Sequence, residues 1–208
     1  MKTVLVNPER CVGCMQCQVA CAIEHSQSKN LYEAVFESPK PRERIYASPG
    51  MYLNTSFPNK CRHCKPAPCL EICPTNAIGR DEDTDIVTID GDKCITCAMC
   101  AMACPYDVIR YYKSSKTIDP DKEVATKCDN CIERQRRGEE PACVEVCKVD
   151  ALVFGDVNKL EDTATGRLTK AMSAARGAIE TGAPTTPGNY EAWQAWGEEV
   201  GKINKKEG

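Results

Sequence analysis

Cysteine dominates the chemistry that this sequence can perform, because it accounts for 16 of the 208 residues. The cysteines fall into four sets of four, which we call motifs 1 to 4. The motifs are Cys11, Cys14, Cys17 and Cys21; Cys61, Cys64, Cys69 and Cys73; Cys94, Cys97, Cys100 and Cys104; and Cys128, Cys131, Cys143 and Cys147. Thiols that recur at such short intervals either form disulfides or bind metal.

Two kinds of thiol site fit the sequence poorly. Cysteines at positions i, i+3 and i+6 converge on one point and offer no sensible pairing for disulfides. The N-terminal residues also lack an export signal, which predicts a cytoplasmic protein whose thiols stay reduced. Structural zinc prefers two separated Cys-x2-Cys pairs, whereas these motifs end in Cys-x3-Cys. A zinc- or disulfide-held binding module is therefore the least favoured interpretation.

Iron–sulfur chemistry fits the spacing much better. The bacterial ferredoxin pattern is Cys-x2-Cys-x2-Cys-x3-Cys-Pro, and motif 3 matches it at every fixed position, including Pro105. Motif 1 has the same spacing with Ala22 in place of proline, while motifs 2 and 4 carry extra residues between their second and third cysteines. A 4Fe–4S cluster needs four soft thiolates around a compact body. In two-cluster ferredoxins, the fourth cysteine of each motif binds the other cluster.

The elements around the motifs repeat as well. Val4–Asn7 is a predicted strand that leads into motif 1, and the alternating strand Ile86–Asp90 leads into motif 3. Residues 105–112 and 148–155 repeat the pattern of a short helix followed by a strand. The sequence therefore predicts an α+β fold, built as two bacterial-ferredoxin-like modules with two clusters each.

Two segments without cysteine interrupt this repeat. Residues 24–60 form a long insertion rich in proline, serine and charge, which either covers the clusters or contacts a partner, or is a solvated loop. Residues 156–208 form a predicted helical tail for partner docking, with one helix near residues 168–180. A second predicted helix carries an apolar stripe that docks on a partner or on the chain itself. The stripe comprises Tyr190, Trp193, Trp196, Val200 and Ile203.

The remaining composition excludes several functions. A net charge of −3 argues against nucleic-acid binding, and no apolar stretch is long enough for a direct membrane span. The sequence contains neither a dinucleotide fingerprint nor a phosphate loop, so no catalytic centre is predicted. The two histidines, His25 and His63, are expected near the thiols rather than as ligands.

Residues 3–155 resemble the four-cluster iron–sulfur subunits of the dimethyl sulfoxide reductase type. The segments that carry this resemblance, besides the cysteine spacing, are Phe57-Pro58, residues 61–64, 66–69, 127–131 and 141–143. Residues 21–26, followed by Pro39, Pro41 and Arg44, are similar to the soluble branch of these proteins. That branch includes the electron-carrier partner of carbon monoxide dehydrogenase and the small subunit of tungsten aldehyde oxidoreductases.

The resemblance implies that motif 1 exchanges ligands with motif 4, and motif 2 with motif 3. Four 4Fe–4S clusters are then expected, with all sixteen cysteines as iron ligands. The implied sets are Cys11, Cys14, Cys17 and Cys147; Cys21, Cys128, Cys131 and Cys143; Cys61, Cys64, Cys69 and Cys104; and Cys73, Cys94, Cys97 and Cys100. Residues 1–23 with 127–155 would form one module, and residues 61–126 the other.

The resemblance also implies a function. The chain would be an electron-transfer subunit, not an enzyme by itself, that connects a cytoplasmic catalytic subunit to an electron donor or acceptor. The catalytic partner would hold a tungsten or molybdenum pterin, or a nickel–iron cluster, with further electron-transfer or flavin subunits in the complex. A tungsten or molybdenum aldehyde oxidoreductase is favoured. An electron carrier for carbon monoxide dehydrogenase and a free polyferredoxin shuttle are the alternatives.

Charged residues within the motifs are expected to adjust the reduction potentials of the clusters. Glu71 and Asp129 would lower the potential of a nearby cluster, whereas Arg62, Lys65 and Lys127 would raise it.

Overall fold

The computed structural model describes residues 2–49, 56–156 and 158–160. The chain divides into two compact units, residues 1–160 and 161–208. The second unit lies outside the described residues, and so do the predicted helix near residues 168–180 and the predicted apolar stripe. All four cysteine motifs belong to the first unit.

The described part of the first unit consists of short elements. Its strands are β1 (Lys2–Val6), β2 (Ile45–Pro49), β3 (Ser56–Lys60), β4 (Ile78–Arg80), β5 (Val87–Ile89), β6 (Arg110–Lys113), β7 (Glu123–Thr126) and β8 (Leu152–Asp156). Its helices are α1 (Gln16–Glu24), α2 (Leu31–Ala34), α3 (Pro68–Glu71), α4 (Met99–Met102), α5 (Ile132–Arg136) and α6 (Ala142–Glu145). Among the residues described, no helix has the length and apolar character needed to cross a membrane.

The strands form antiparallel pairs rather than one larger sheet. The pairs are β1–β8, β2–β3, β4–β5 and β6–β7. Three of these pairs join consecutive strands, whereas β1 and β8 join the two ends of the unit, with Val4 opposite Phe154. Two-stranded sheets and helices of four to nine residues are marginal in water by themselves. The stability of these short strands and helices must therefore come from tertiary packing.

The order of elements occurs twice. The order β1, motif 1, β2, β3, motif 2, β4 is followed by β5, motif 3, β6, β7, motif 4, β8. Because β4 pairs with β5 and β8 pairs with β1, the first strand of each half pairs with the last strand of the other half. The mixture of short helices and strands that the sequence predicts is confirmed.

The segment from residue 24 to residue 60 contains regular structure in its described part. It includes α2 and the hairpin β2–β3, in which Ala47 lies opposite Pro58. The sequence does not predict this hairpin, because both strands contain proline. Proline cannot donate a hydrogen bond to a neighbouring strand and usually marks loops or edge strands. Ile45 at the start of β2 is buried among the residues around motifs 1 and 4.

The buried core consists of small clusters, each of which contains both cysteines and aliphatic side chains. One cluster contains Ile78, Val87, Ile109 and Val124 together with cysteines of motifs 2 and 3. A second contains Val4, Ile45 and Leu152 with cysteines of motifs 1 and 4. In a third, Val108 is buried with Cys61 and Cys128. The aliphatic residues thus pack around the thiols.

Candidate metal centre

The four motifs share one backbone feature. In each motif, the second residue after the first cysteine adopts a left-handed conformation, which a short loop uses to turn successive N–H groups inwards. These residues are Gly13 (φ 68°), His63 (φ 50°), Thr96 (φ 58°) and Asn130 (φ 55°). In motif 2 the His63 amide donates to Cys61 Sγ at 3.4 Å, and in motif 4 the Asn130 amide donates to Cys128 Sγ at 3.3 Å.

The thiols gather into four groups, each of which draws on two motifs. Thiol group I comprises Cys11, Cys14, Cys17 and Cys147. Cys17 lies on α1, which packs against α6, and Cys147 follows α6. Burial, reinforced by the nearby thiols of Cys11, Cys14 and Cys147, raises the pKa of Cys17 to about 11. The last cysteine of motif 4 is therefore a close neighbour of the first three cysteines of motif 1.

Thiol group II comprises Cys21, Cys128, Cys131 and Cys143, all of which are buried. Burial, followed by the charges of the other three thiols, raises the pKa of Cys21 well above its usual value. Burial and Cys128 raise the pKa of Cys131 to about 12. The Arg44 amide donates to Cys21 Sγ at 3.3 Å, so the segment before β2 contributes directly to the surroundings of this group.

Thiol group III comprises Cys61, Cys64, Cys69 and Cys104. Burial and the neighbouring thiols of Cys61 and Cys104 raise the pKa of Cys64. Cys69 lies on α3, which packs against α4, and Cys104 follows α4. Cys61 and Cys104 also pack around the buried side chain of Val108.

Thiol group IV comprises Cys73, Cys94, Cys97 and Cys100, which line one pocket. The Ala125 amide donates to Cys94 Sγ at 3.5 Å, and the hydroxyl of Tyr111 lies 3.4 Å from Cys100 Sγ. Burial raises the pKa of Cys100, and the hydrogen bond with Tyr111 opposes that rise. The sulfur atoms of this group are thus surrounded by hydrogen-bond donors from β6 and β7.

The groups follow one another in the order I, II, III, IV. Cys17 of group I packs in the same cluster as Cys143 of group II. Cys61 and Cys128 share a cluster across groups III and II, and Cys69 and Cys100 share one across groups III and IV. The two ends of this row reach the surface, because Cys14 of group I and Cys97 of group IV are exposed.

A polar network encloses group II on one side. His25 Nε2 lies 3.0 Å from Asp129 Oδ1, and Arg44 Nη1 donates to Asp129 Oδ2 at 2.6 Å. His25 Nδ1 lies 2.7 Å from the carbonyl oxygen of Cys21, so both ring nitrogens face acceptors. Burial opposes ionisation of Asp129, but His25 and Arg44 hold the pKa of that carboxyl far below its usual value. His25 Nδ1 also lies 3.7 Å from Cys21 Sγ, so His25 is a direct neighbour of the thiols, as the sequence predicts. Its contact with Asp129 is not evident from the sequence.

His63 is also placed beside the thiols rather than among them. The ring is buried, and Nδ1 accepts a hydrogen bond from the Val87 amide at 3.2 Å. Burial and the positive charges of Lys127 and Lys60 lower the pKa of His63 to about 2. The imidazole is consequently neutral, and its buried Nε2 has no hydrogen-bond partner within the described residues.

The three cations that the sequence predicts near the thiols differ in their environment. Lys65 is exposed and its Nζ lies 2.8 Å from Asp85 Oδ2. The guanidinium of Arg62 lies over the rings of Phe57 and Tyr106, at 5.6 and 5.2 Å from their centroids. Lys127 is buried, and so is Lys60, which is not among the predicted cations. The signal for Lys60 was present, because Lys-Cys-x2-Cys occurs in both motif 2 and motif 4.

The donor atoms of the four groups fit 4Fe–4S clusters. Each group offers four soft thiols with backbone or hydroxyl donors around several of the sulfur atoms, as such clusters require. Across the described residues, the one set of three metal-binding side chains with ligand atoms all within 4.8 Å is His25, Asp129 and Cys131. Four thiolates bound to a single zinc ion at 2.3 Å would lie about 3.8 Å apart. The thiol groups are more open than that, which suits a larger body.

Comparison with protein families agrees with the thiol chemistry. Residues 53–157 match the family model described as a 4Fe-4S dicluster domain, and residues 8–23 match a model described as a 4Fe-4S binding domain. The prediction of ferredoxin-like domains that bind 4Fe–4S clusters is thereby confirmed.

Several characterised proteins are similar over most of their length. The electron transport protein HydN of Escherichia coli is 34% identical over 76% of this chain and 90% of its own. The thiosulfate reductase electron transfer subunit PhsB of Salmonella typhi is 36% identical, over 76% of this chain and 77% of its own. The polyferredoxin-like subunit of an aliphatic sulfonate oxidoreductase of Pyrococcus furiosus is 34% identical, over 69% of this chain and 70% of its own.

Proposed function

Because the chain belongs to the family of proteins with a 4Fe-4S dicluster domain, we propose that it is an electron-transfer subunit of an oxidoreductase complex. The observation that carries this proposal is the continuous row of four thiol groups with exposed thiols at both ends. When bound, a 4Fe–4S cluster supplies reversible one-electron oxidation and reduction. The chain itself provides no catalytic centre in this proposal and leaves the substrate chemistry to a partner.

We assign one 4Fe–4S cluster to each thiol group, with all sixteen cysteines as iron ligands. The neighbourhood of Cys17 and Cys147 supports ligand exchange between motifs 1 and 4, and the shared pocket of Cys73 and Cys94 supports exchange between motifs 2 and 3. The two sets of motifs then correspond to the two ferredoxin-like modules, residues 1–23 with 127–155 and residues 61–126.

The side chains and amides of the chain have three tasks in this function. The cysteines hold the metal, and the N–H groups of Arg44, Ala125 and Asn130 stabilise negative charge on the sulfur atoms. The buried surroundings of group II exclude water from the middle of the row. The exposed thiols at the ends place groups I and IV where partner proteins exchange electrons with them.

The catalytic partner that we propose is a reductase-type subunit. The names of PhsB and of the Pyrococcus furiosus relative refer to a thiosulfate reductase and an aliphatic sulfonate oxidoreductase. Similarity of residues 21–26 to the soluble branch favours a cytoplasmic partner with a tungsten or molybdenum pterin, of the aldehyde oxidoreductase type. An electron carrier for carbon monoxide dehydrogenase and a free polyferredoxin shuttle are the competing assignments.

Metal analysis of the protein purified without oxygen tests the proposal. Four 4Fe–4S clusters correspond to about sixteen iron and sixteen sulfide ions per chain. Titration with a low-potential reductant should produce the paramagnetic signals of reduced 4Fe–4S clusters. Zinc in place of iron, or clusters that cannot be reduced, would contradict the proposal. Gel filtration of the native protein then separates a subunit, which elutes with its catalytic partner, from a free shuttle, which elutes alone.

A further inference from the structure

Two buried lysines occupy equivalent places in the repeated halves of the structure. Lys60 directly precedes Cys61 and is 1% exposed, and Lys127 directly precedes Cys128 and is 4% exposed. Lysine is almost never buried to this degree unless its charge is compensated. A negatively charged group is therefore expected close to each buried ammonium group.

The described residues supply neutral partners for both lysines. Lys60 Nζ donates to the carbonyl oxygen of Cys61 at 3.1 Å. Lys127 Nζ donates to the carbonyl oxygens of Val87 and Cys128. In the portion of the chain that the structure describes, no carboxylate lies within ion-pair distance of either Nζ. Carbonyl oxygens thus stabilise both ammonium groups without neutralising them. The positive charges can therefore stabilise negative charge on nearby thiolates.

Each lysine lies at the boundary between thiol groups II and III. Lys60 is paired across the β2–β3 hairpin with Ile45, which packs in the cluster that contains Cys21 and Cys143 of group II. Lys127 Nζ donates to the carbonyl oxygen of Val87, whose cluster includes Cys69 and Cys104 of group III. The cysteines that follow the two lysines pack in one cluster. Lys60 thus precedes a cysteine of group III and is paired with a neighbour of group II, and Lys127 shows the reverse relation.

We propose that Lys60 and Lys127 are potential-setting residues that raise the reduction potentials of the two inner clusters relative to the two outer ones. The inference rests on the proposed function, because it requires clusters at groups II and III. Reduction adds one negative charge to a cluster, and a buried positive charge nearby stabilises the reduced form more than an exposed one does. Without these lysines, the burial of group II would disfavour the more negative, reduced state of the cluster there.

The size of the effect follows from Coulomb interaction in a protein interior of intermediate dielectric constant. Removal of one lysine charge should lower the ratio of reduced to oxidised inner cluster about tenfold at a fixed solution potential. That ratio corresponds to about 59 mV for a one-electron couple. The reduction potentials of the outer clusters should not change, because they lie farther away and closer to solvent.

The experiment is a redox titration monitored by electron paramagnetic resonance on the iron-loaded protein. The neutral variants are Lys60→Met, Lys60→Gln, Lys127→Met and Lys127→Gln, and the charge-retaining variants are Lys60→Arg and Lys127→Arg. Lys65→Met is the matched control. Lys65 follows Cys64, but its charge is exposed to solvent and paired with Asp85, so we expect it not to raise a cluster potential as its sequence position suggests. A water-soluble paramagnetic relaxant, which broadens signals near the surface, distinguishes the outer clusters from the inner ones.

The expected result is a lower potential for the inner clusters in the neutral variants, with wild-type potentials in the control and in the arginine variants. Unchanged inner potentials, or an equal decrease in all four clusters, would overturn the inference. Neutral variants that fail to bind iron while the arginine variants bind it would also overturn it, in favour of a role in assembly. A wild-type protein without clusters would instead contradict the proposed function, so the two failures are distinguishable.

Discussion

His25 and Asp129 are 104 positions apart in the chain, yet His25 Nε2 lies 3.0 Å from Asp129 Oδ1. This contact joins the end of α1, just beyond motif 1, to the start of motif 4, and Arg44 completes it from the segment before β2. Three distant parts of the chain therefore meet beside thiol group II. Substitution of Asp129 tests how much these contacts contribute to the stability of the fold.

Asp129→Asn should destabilise the surroundings of group II. The substitution removes the negative charge and replaces one of the two acceptor oxygens with an NH2 donor, so Arg44 and His25 cannot both keep their charged acceptor. This should lower the free energy of unfolding by about 2–3 kcal/mol. Thermal unfolding without oxygen, together with iron analysis, measures the effect. Asp107→Asn is the control, because Asp107 is exposed and its ion pair with Arg110 is at the surface. Equal stability of the two variants would show that the network contributes little.

Cysteine substitutions made in pairs test the ligand exchange. Cys17→Ser with Cys147→Ser should remove one cluster and lower the iron content from about sixteen to about twelve per chain. Cys17→Ser with Cys21→Ser should affect two clusters and lower it to about eight, because these neighbours in sequence belong to different thiol groups. Iron analysis combined with spectroscopy of the reduced protein provides the readout. The opposite pattern would mean that each motif binds its own cluster.

Tyr111→Phe should lower the reduction potential of the cluster at group IV. The hydroxyl of Tyr111 lies 3.4 Å from Cys100 Sγ, and a donor to this sulfur stabilises the more negative, reduced state. Loss of one such hydrogen bond should lower the potential by roughly 20–60 mV. Tyr32→Phe changes an exposed tyrosine and should have no effect. A redox titration in which both variants behave alike would exclude Tyr111 as a determinant of the potential.

Removal of the metal should abolish cooperative folding of the first unit. The aliphatic core is divided into small clusters that pack around thiols, and the strand pairs are marginal by themselves. Chelation without oxygen should therefore eliminate the sigmoidal thermal transition in circular dichroism. Reconstitution with iron and sulfide should restore that transition. A metal-free chain that still unfolds cooperatively would contradict this expectation.

Glu24 should make the stability of the protein depend on pH. Burial opposes its ionisation, but Lys29 and Arg134 more than offset this and lower its pKa below the usual value of 4.5. A lowered pKa in the folded state contributes stability that is present above pH 4.5 and is lost as the pH falls. Glu24→Gln should therefore lower the melting temperature by about 2–6 °C at pH 7.5, by a similar amount at pH 5, and by less at pH 4, below the unfolded pKa.

The control for this prediction is Glu133→Gln, because Glu133 is exposed and paired with Arg136 at the surface. Its melting temperature should match that of the wild type at each of these pH values. A difference between Glu24→Gln and wild type that stays constant from pH 7.5 to pH 4 would show that the charge of Glu24 is not responsible.

The sequence reveals the chemistry of this protein because the thiol spacing is local. Cysteines three or four positions apart face the same loop interior, so the motifs indicate 4Fe–4S binding without knowledge of the fold. The strands next to the motifs are also visible, since Ile86–Asp90 alternates apolar and polar residues and β5 covers Val87–Ile89.

Contacts between residues that are far apart in the chain cannot be predicted from local spacing. Arg44 contacts Cys21 and Asp129, but it stands in a charged, proline-rich segment that has the composition of a solvated loop. The pattern Lys-Cys-x2-Cys marks Lys60 and Lys127 as equivalent positions, but it does not show that either side chain is buried. Whether a charged side chain reaches the interior depends on which distant backbone carbonyls meet it, and spacing along the chain does not encode that.

The pairing of β1 with β8 has a consequence for how the protein is made on the ribosome. Thiol groups III and IV contain no cysteine beyond Cys104, so they are complete while the C-terminal half is still being synthesised. Groups I and II must wait for Cys147 and Cys143, and β1 finds its partner strand only after residue 152 has emerged. Translation therefore allows thiol groups III and IV to assemble first, whereas the N-terminal cysteines lack their partners until residues 143–152 have emerged.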